Sequence, residues 1–318
     1  MKLSGDSLAL RRLFENEDAL RHGHDTPHRI LIIGTGGGMC CTRAAGYLAA
    51  CRDSGIHNAA DHAVTVSGSG GAMGAYLSGM PHRASQMFEQ LGASGFIEAS
   101  PFKTPKIKLE YLADILRGHY SPLAFDEERI RAHRTSWHVV VTRLSGESLL
   151  LNAKDFSPDA AEAVLASSAL PQVSDPILAR IDTDEELLVD GACGMPLPAS
   201  AAIMKFRPDT VIVLESRPDP AKLPRLEKYL WPTLTHFCLR GSPTPLRRQT
   251  ASMGQAIRSE VSRLERLKRI KWCRISPDNS AIPLSPFTSD PFALRHAAVE
   301  ARNFMREMLA GAAPVREV

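Results

Sequence analysis

Three short stretches of this chain combine residue types and spacing that could do chemistry. Ser67-Gly-Ser-Gly-Gly71 places serines between an apolar run, Ala63-Val-Thr-Val66, and a helix-forming run, Ala72-Met-Gly-Ala-Tyr-Leu77. A serine held between a strand end and a helix start meets the needs of a nucleophile elbow: a strained backbone, an exposed hydroxyl, and helix N-terminal amides aimed at the reacting atom. Read as G-x-S-x-G, the turn puts Ser69 at the nucleophile position, with Ser67 where the pattern has its first glycine. Taken alone, the stretch is also a Gly/Ser turn closing a strand. Gly34-Thr-Gly-Gly-Gly38 follows Ile30-Leu-Ile-Ile33, and its successive amides can face one concavity and hold an anion. The dinucleotide fingerprint fails at its third glycine, which is Met39, and no Gly-Lys pair follows to make a P-loop. Asp190-Gly-Ala192 ends the apolar run Leu187-Leu-Val, so a carboxylate stands at a strand terminus, where open α/β sheets build their sites.

These stretches require elements to carry them. Two successive strand, small-residue turn and helix units predict parallel strands covered by helices, because a crossover of that length returns the chain in the same direction. Trp137-His-Val-Val-Val-Thr142 is a third predicted strand with a hairpin return through Leu149-Leu-Leu-Asn152. A helix is expected from Pro158 to Leu170, a strand over Thr210-Val-Ile-Val-Leu-Glu215, another over Trp272 to Ile275, and a final helix from Pro291 to Leu309. Met253, Ile257, Val261 and Leu264 give Pro245 to Leu267 one apolar helical face. The prolines between Pro81 and Ile130 divide that stretch into short helical pieces from which a site cover could be drawn.

In order and local wording the three stretches resemble the patatin-like phospholipases, bacterial type. That family has a G-G-G-x-R-G loop, a G-x-S-x-G elbow and a D-G-G or D-G-A turn. Gly36-Gly-Gly38 resembles the loop, with Gly46-Tyr-Leu48 in the following helix. Asp190-Gly-Ala-Cys-Gly-Met-Pro-Leu-Pro198 resembles the D-G-G-x-x-x-P-L-P variant, and Ala166-Ser-Ser-Ala-Leu-Pro171 the family's A-S-x-A-x-P helix end. Val213-Leu-Glu-Ser-Arg-Pro218 looks like bacterial members. The loop's usual Arg and Gly are Cys40 and Cys41 here, which removes a cation from beside the oxyanion site.

The resemblance implies a three-layer α/β/α fold with a mainly parallel central sheet. It implies an N-terminal extension over 1–28, an acyl hydrolase domain over 29–216, and a mainly helical extension over 217–318 packed on the core. It further implies a Ser69–Asp190 dyad without histidine, oxyanion donors among Gly36, Gly37, Gly38 and Met39, no metal or cofactor, and a lipid acyl ester as substrate. Such a dyad works when the two side chains meet directly in a site shielded from water. A Ser-His-Asp triad would need His236 or His296, the histidines that follow the acid. The rival from another class is a lipid-binding protein of the same fold with weak or no turnover.

Composition sets the bounds. The chain has 318 residues, 44% hydrophobic and 23% charged, enough for a full core. A net charge of +3 gives no reason to expect a nucleic-acid partner. Met1 to Leu20 interleaves charged with apolar residues and lacks a secretory apolar region, so a cytoplasmic location is expected. The six cysteines are then expected as free thiols. The cations from Arg247 to Arg274 form either a solvated face or a peripheral contact with anionic membrane.

Overall fold

A computed structural model describes residues 1–100, 103–118, 123–171, 173–218 and 243–314. Its strands are β1 (Lys2–Gly5), β2 (Ile30–Gly34), β3 (His62–Val66), β4 (Ile97–Ser100), β5 (Lys103–Ile107), β6 (Ser136–Arg143), β7 (Ser148–Asn152), β8 (Ile177–Ile181), β9 (Asp184–Asp190), β10 (Thr210–Leu214) and β11 (Lys271–Ser276). Its helices are α1 (Leu8–Arg21), α2 (Thr42–Asp53), α3 (Ser69–Leu77), α4 (Pro81–Ala93), α5 (Leu109–Arg117), α6 (Glu127–Ala132), α7 (Ala160–Ser168), α8 (Ala199–Phe206), α9 (Thr244–Ala251), α10 (Met253–Arg266) and α11 (Pro291–Ala312).

The main sheet runs β1-β11-β10-β2-β3-β6-β9-β8, with β7 also on β6. β11, β10, β2, β3 and β6 are parallel; β1, β7, β8 and β9 pair antiparallel around them. Both faces are covered, and successive residues of each central strand alternate between two cores. Ile30 and Ile32 of β2, and Ile212 and Leu214 of β10, face the layer that holds α1 to α5, α7 and α11. Leu31, Ile33, Val211 and Val213 face α8 and α10. Strands buried on both faces read as unbroken apolar runs, which is why these were conspicuous in the sequence. The fold is therefore a three-layer α/β/α sandwich on a mainly parallel centre.

The sheet continues across residue 216. β11 extends it beside β10, β1 closes that edge on β11, and α11 packs on α2. Gly46 permits the last contact, because a Cβ there would lie 2.2 Å from the carbonyl oxygen of Ala298. Two local expectations change. The apolar face over 245–267 is carried by two helices that meet at Ser252, and the stretch after Pro81 contains the β4–β5 hairpin as well as helices.

One ladder detail brings distant residues together. β7 occupies one edge of β6 from His138 to Thr142. β3 takes the opposite edge up to Val140, and β9 enters that same edge from Val141 onward. Val140 is therefore opposite Val66, and the next residue, Val141, is opposite Asp190. The ends of β3 and β9 meet head to head.

Candidate active site

Ser67 is the first residue after β3 and adopts φ +56°, a left-handed backbone that costs a residue with a Cβ about 1 kcal/mol or more. Its amide is held by Ser167 Oγ at 2.9 Å, and Ser167 Oγ in turn donates to the Val140 carbonyl at 2.7 Å. With the backbone so fixed, Ser67 Oγ donates to Asp190 Oδ2 at 2.6 Å. The other carboxylate oxygen, Oδ1, accepts from the Ala192 amide at 2.8 Å, and the Asp190 amide donates to the Ala169 carbonyl at 2.8 Å. The end of α7 thus positions both partners. Asp190 is 4% exposed. Burial pushes its pKa up to about 6, against the opposing pull of the Ser67 hydroxyl and the Ala192 amide.

This geometry corrects the expectation for Ser69. Ser69 begins α3 and is 1% exposed. Its Oγ lies 2.9 Å from the Gly34 carbonyl and 2.8 Å from the Val66 carbonyl, to which it donates, and accepts from the Val66 amide at 3.0 Å. The hydroxyl ties the end of β3 to that of β2, and the serine brought to Asp190 is Ser67. β3 ends at Val66, so Ser67 is the residue at the turn directly after the strand. The pattern is therefore Thr65-x-Ser67-x-Ser69, two positions earlier than the G-x-S-x-G frame.

The glycine loop lies across from the elbow, with Gly36, Gly37 and Gly38 lining the same cavity as Ser67 and Asp190. Among the described residues no acceptor takes the amides of Gly36, Gly37 or Gly38. Met39 differs from expectation, because its amide donates to the Pro286 carbonyl at 3.0 Å. That bond removes it from the free donors and anchors the loop to the 283–288 segment. Gly38 has φ +56°, and a Cβ there would lie 2.5 Å from the Pro286 carbonyl oxygen. Gly38→Ala is expected to displace the loop and lower the melting temperature in thermal denaturation, while circular dichroism stays native.

The cavity has a volume of about 1490 Å³. Its lining includes the apolar Met87, Phe88, Leu91, Phe96, Leu112 and Val164 and the charged Arg43, Glu215, Arg217, Arg258 and Asp278. Thr250 to Gln255, Ile257 and Arg258 lie along its wall. The basic segment is consequently split across the molecule. α10 starts at this wall, and its 14 residues extend about 20 Å at 1.5 Å per residue. Lys271 pairs with Thr210 at the opposite, N-terminal end of the parallel strands, so the cations near it lie at the far end from the cavity.

Of the two triad histidines, His296 is exposed on α11 and His236 lies outside the described residues. Cys40, Cys41, Cys51, Cys193 and Cys273 are buried free thiols; Cys238 lies outside the described residues. Among the described residues no group of three potential metal ligands forms, and no helix is long and apolar enough to cross a membrane.

No protein-family model and no curated protein matches the chain. Among solved structures it is similar to VipD from Legionella pneumophila at 13% identity, covering 90% of this chain and 67% of that one, with a TM-score of 0.48. It is also similar to a chain in the complex of full-length SpcU with full-length ExoU, from the type III secretion system of Pseudomonas aeruginosa. That match has 11% identity and a TM-score of 0.32, covering 89% of this chain and 60% of that one. Likeness at this distance assigns neither family nor activity, so the functional reading rests on the geometry of the site.

Proposed function

We propose that this chain is a serine acyl hydrolase acting on lipid acyl esters, with Ser67 as nucleophile and Asp190 as its base. The observation that carries the reading is the 2.6 Å hydrogen bond between Ser67 Oγ and a buried carboxylate. It involves a serine on a strained turn, in a partly apolar cavity that also contains the glycine loop, whose Gly36 to Gly38 amides have no acceptor among the described residues.

The geometry supports the following steps. Ser67 Oγ attacks the ester carbonyl carbon while its proton passes to Asp190 Oδ2. The carbonyl oxygen becomes an oxyanion and accepts hydrogen bonds from amides of Gly36 to Gly38. Each such donor is worth roughly 3 kcal/mol in the transition state. Collapse breaks the ester C–O bond, and Asp190 returns the proton to the leaving alkoxide. Asp190 then deprotonates a water that attacks the acyl-serine, and the proton goes back to Ser67 as the acid departs. Burial serves this chemistry, since a carboxylate near pKa 6 takes a proton more readily than an ordinary aspartate and is still ionised at neutral pH.

The test is the pH dependence of p-nitrophenyl butyrate hydrolysis. Only ionised Asp190 can act as base, so kcat/KM should be level above about pH 7 and fall about tenfold per unit below about 6. No Ser67-dependent hydrolysis of this or any longer ester would refute the hydrolase. The protein would then be a lipid-binding one.

A further inference from the structure

The three glycines of the loop are gripped at both ends by residues that converge on one buried cation, Arg43. Upstream, the Thr35 amide donates to the Leu214 carbonyl at 3.0 Å. Thr35 Oγ1 accepts from the Ser216 amide at 3.3 Å, and the Thr35 carbonyl accepts from Ser216 Oγ at 3.4 Å. Downstream, the Met39 amide is bound to Pro286, and Cys40 Sγ donates to the Leu284 carbonyl at 3.5 Å. Arg43, in the first turn of α2, joins the two anchors. Its Nη1 donates to the Ser216 carbonyl at 2.9 Å and its Nη2 to the Ile282 carbonyl.

Carbonyls of alternate residues, 282, 284 and 286, are thus taken by Arg43, Cys40 and Met39 in reverse order, so one strap between β11 and α11 is laid against the start of α2. Its other side is held by α11, where Glu300 Oε2 accepts from the Ile282 amide at 3.1 Å. Arg43 is 1% exposed, and its Nε is buried without a partner. Among the described residues no carboxylate comes within ion-pair distance of it. An apolar side chain of similar volume would spare the fold that cost, so stability gives no reason for the charge. Its reach does: a planar fork can span two carbonyls that belong to different segments.

We infer that Arg43 is a positioning residue, which fixes the Gly36 to Gly38 amides by clamping Ser216 to the strap at Ile282. It acts through the two ends of the loop and not on the substrate. The catalytic consequence rests on the hydrolase reading, because donors aimed at a developing oxyanion are effective only when their geometry is set in advance. The clamp itself does not require turnover. Glycine gives this loop its backbone freedom, and the clamp takes that freedom away at the one place where it would blunt the donors.

The experiment uses the full-length protein and p-nitrophenyl butyrate. Arg43→Lys keeps the charge but loses the fork, and should lower kcat about tenfold or more while KM stays within about threefold. Glu300 does not line the cavity. Glu300→Ala frees the strap from its other side and should lower kcat in the same way, whereas Glu300→Gln keeps an acceptor oxygen and should retain it. Inhibition by octyl trifluoromethyl ketone should weaken in step with kcat, since its adduct carries an oxyanion: Ser67 Oγ bonds to the ketone carbon and the hydroxyl proton goes to Asp190. Hydrogen exchange of peptides covering Gly36 to Gly38 needs no turnover. It should be faster in Arg43→Lys and Glu300→Ala and native in Glu300→Gln. A raised KM at unchanged kcat in Arg43→Lys would make Arg43 a substrate contact and overturn the proposal. A lower melting temperature with kcat and exchange unchanged would reduce the clamp to a structural tie and overturn it too, as would native kcat and native exchange in Glu300→Ala. If the wild type shows no Ser67-dependent hydrolysis, the hydrolase reading fails and exchange alone decides: faster exchange upholds the clamp, and unchanged exchange ends it.

Discussion

Ser67→Ala should abolish labelling by a fluorophosphonate probe and lower ester turnover on the order of 10⁴-fold or more, because the nucleophile of a serine hydrolase cannot be bypassed by its neighbours. Ser69→Ala should behave differently. That hydroxyl donates to the Val66 carbonyl and accepts from the Val66 amide in a buried place, so its removal should cost about 1 to 3 kcal/mol of stability. The folded fraction should still label. Thermal melts and in-gel fluorescence on the two variants separate the roles. A folded Ser69→Ala protein that no longer labels, beside a Ser67→Ala protein that does, would reverse the assignment.

Asp190→Asn carries the second large effect, and it runs in opposite directions for activity and stability. Turnover should fall to background, since an amide cannot accept the serine proton. Stability at neutral pH should rise. The folded-state pKa of Asp190 is raised to about 6 from 3.8, so the folded protein holds this proton more tightly than the unfolded chain does. The protonated group imposes no such penalty below about pH 4. The penalty grows as pH rises through about 6 and is then constant, at an upper value of about 3 kcal/mol. Asparagine removes it and can keep both contacts, accepting from the Ala192 amide through oxygen while its NH₂ donates to Ser67 Oγ. Denaturant unfolding at pH 5 and pH 8 should show the variant's advantage growing with pH. A variant that is less stable than wild type at pH 8 would mean that the carboxylate is a structural anchor.

The architecture was largely readable in the sequence because strands buried on both faces have little choice of composition: Ile30 to Ile33 and Val211 to Leu214 are apolar throughout. The hairpin β4–β5 was not readable, since Ile97–Ser100 and Lys103–Ile107 mix charged, proline and apolar residues without alternation. At the site, local wording indicated the turn, but the serine it favoured is not the one hydrogen-bonded to Asp190. Two hydroxyls two residues apart in a Gly/Ser turn differ only in backbone angle and in what lies opposite, and both are tertiary properties. The loss of the Met39 amide was equally hidden, because its acceptor, Pro286, lies nearly 250 positions away.

The joint occupancy of one β6 edge by β3 and β9 has a consequence for how such a protein can diversify. Val66, which precedes Ser67, and Asp190 are registered against adjacent valines of a third strand, so the spacing of Ser67 and Asp190 along the chain carries no geometric information. Insertions or deletions in the connections after β7 or at the β8–β9 tip should leave the reactive pair in place. A single-residue slip within β9 itself would turn the carboxylate to the other face of the sheet. Chain length can drift there while ladder register cannot, and new substrate walls can be grafted around an unchanged reaction centre.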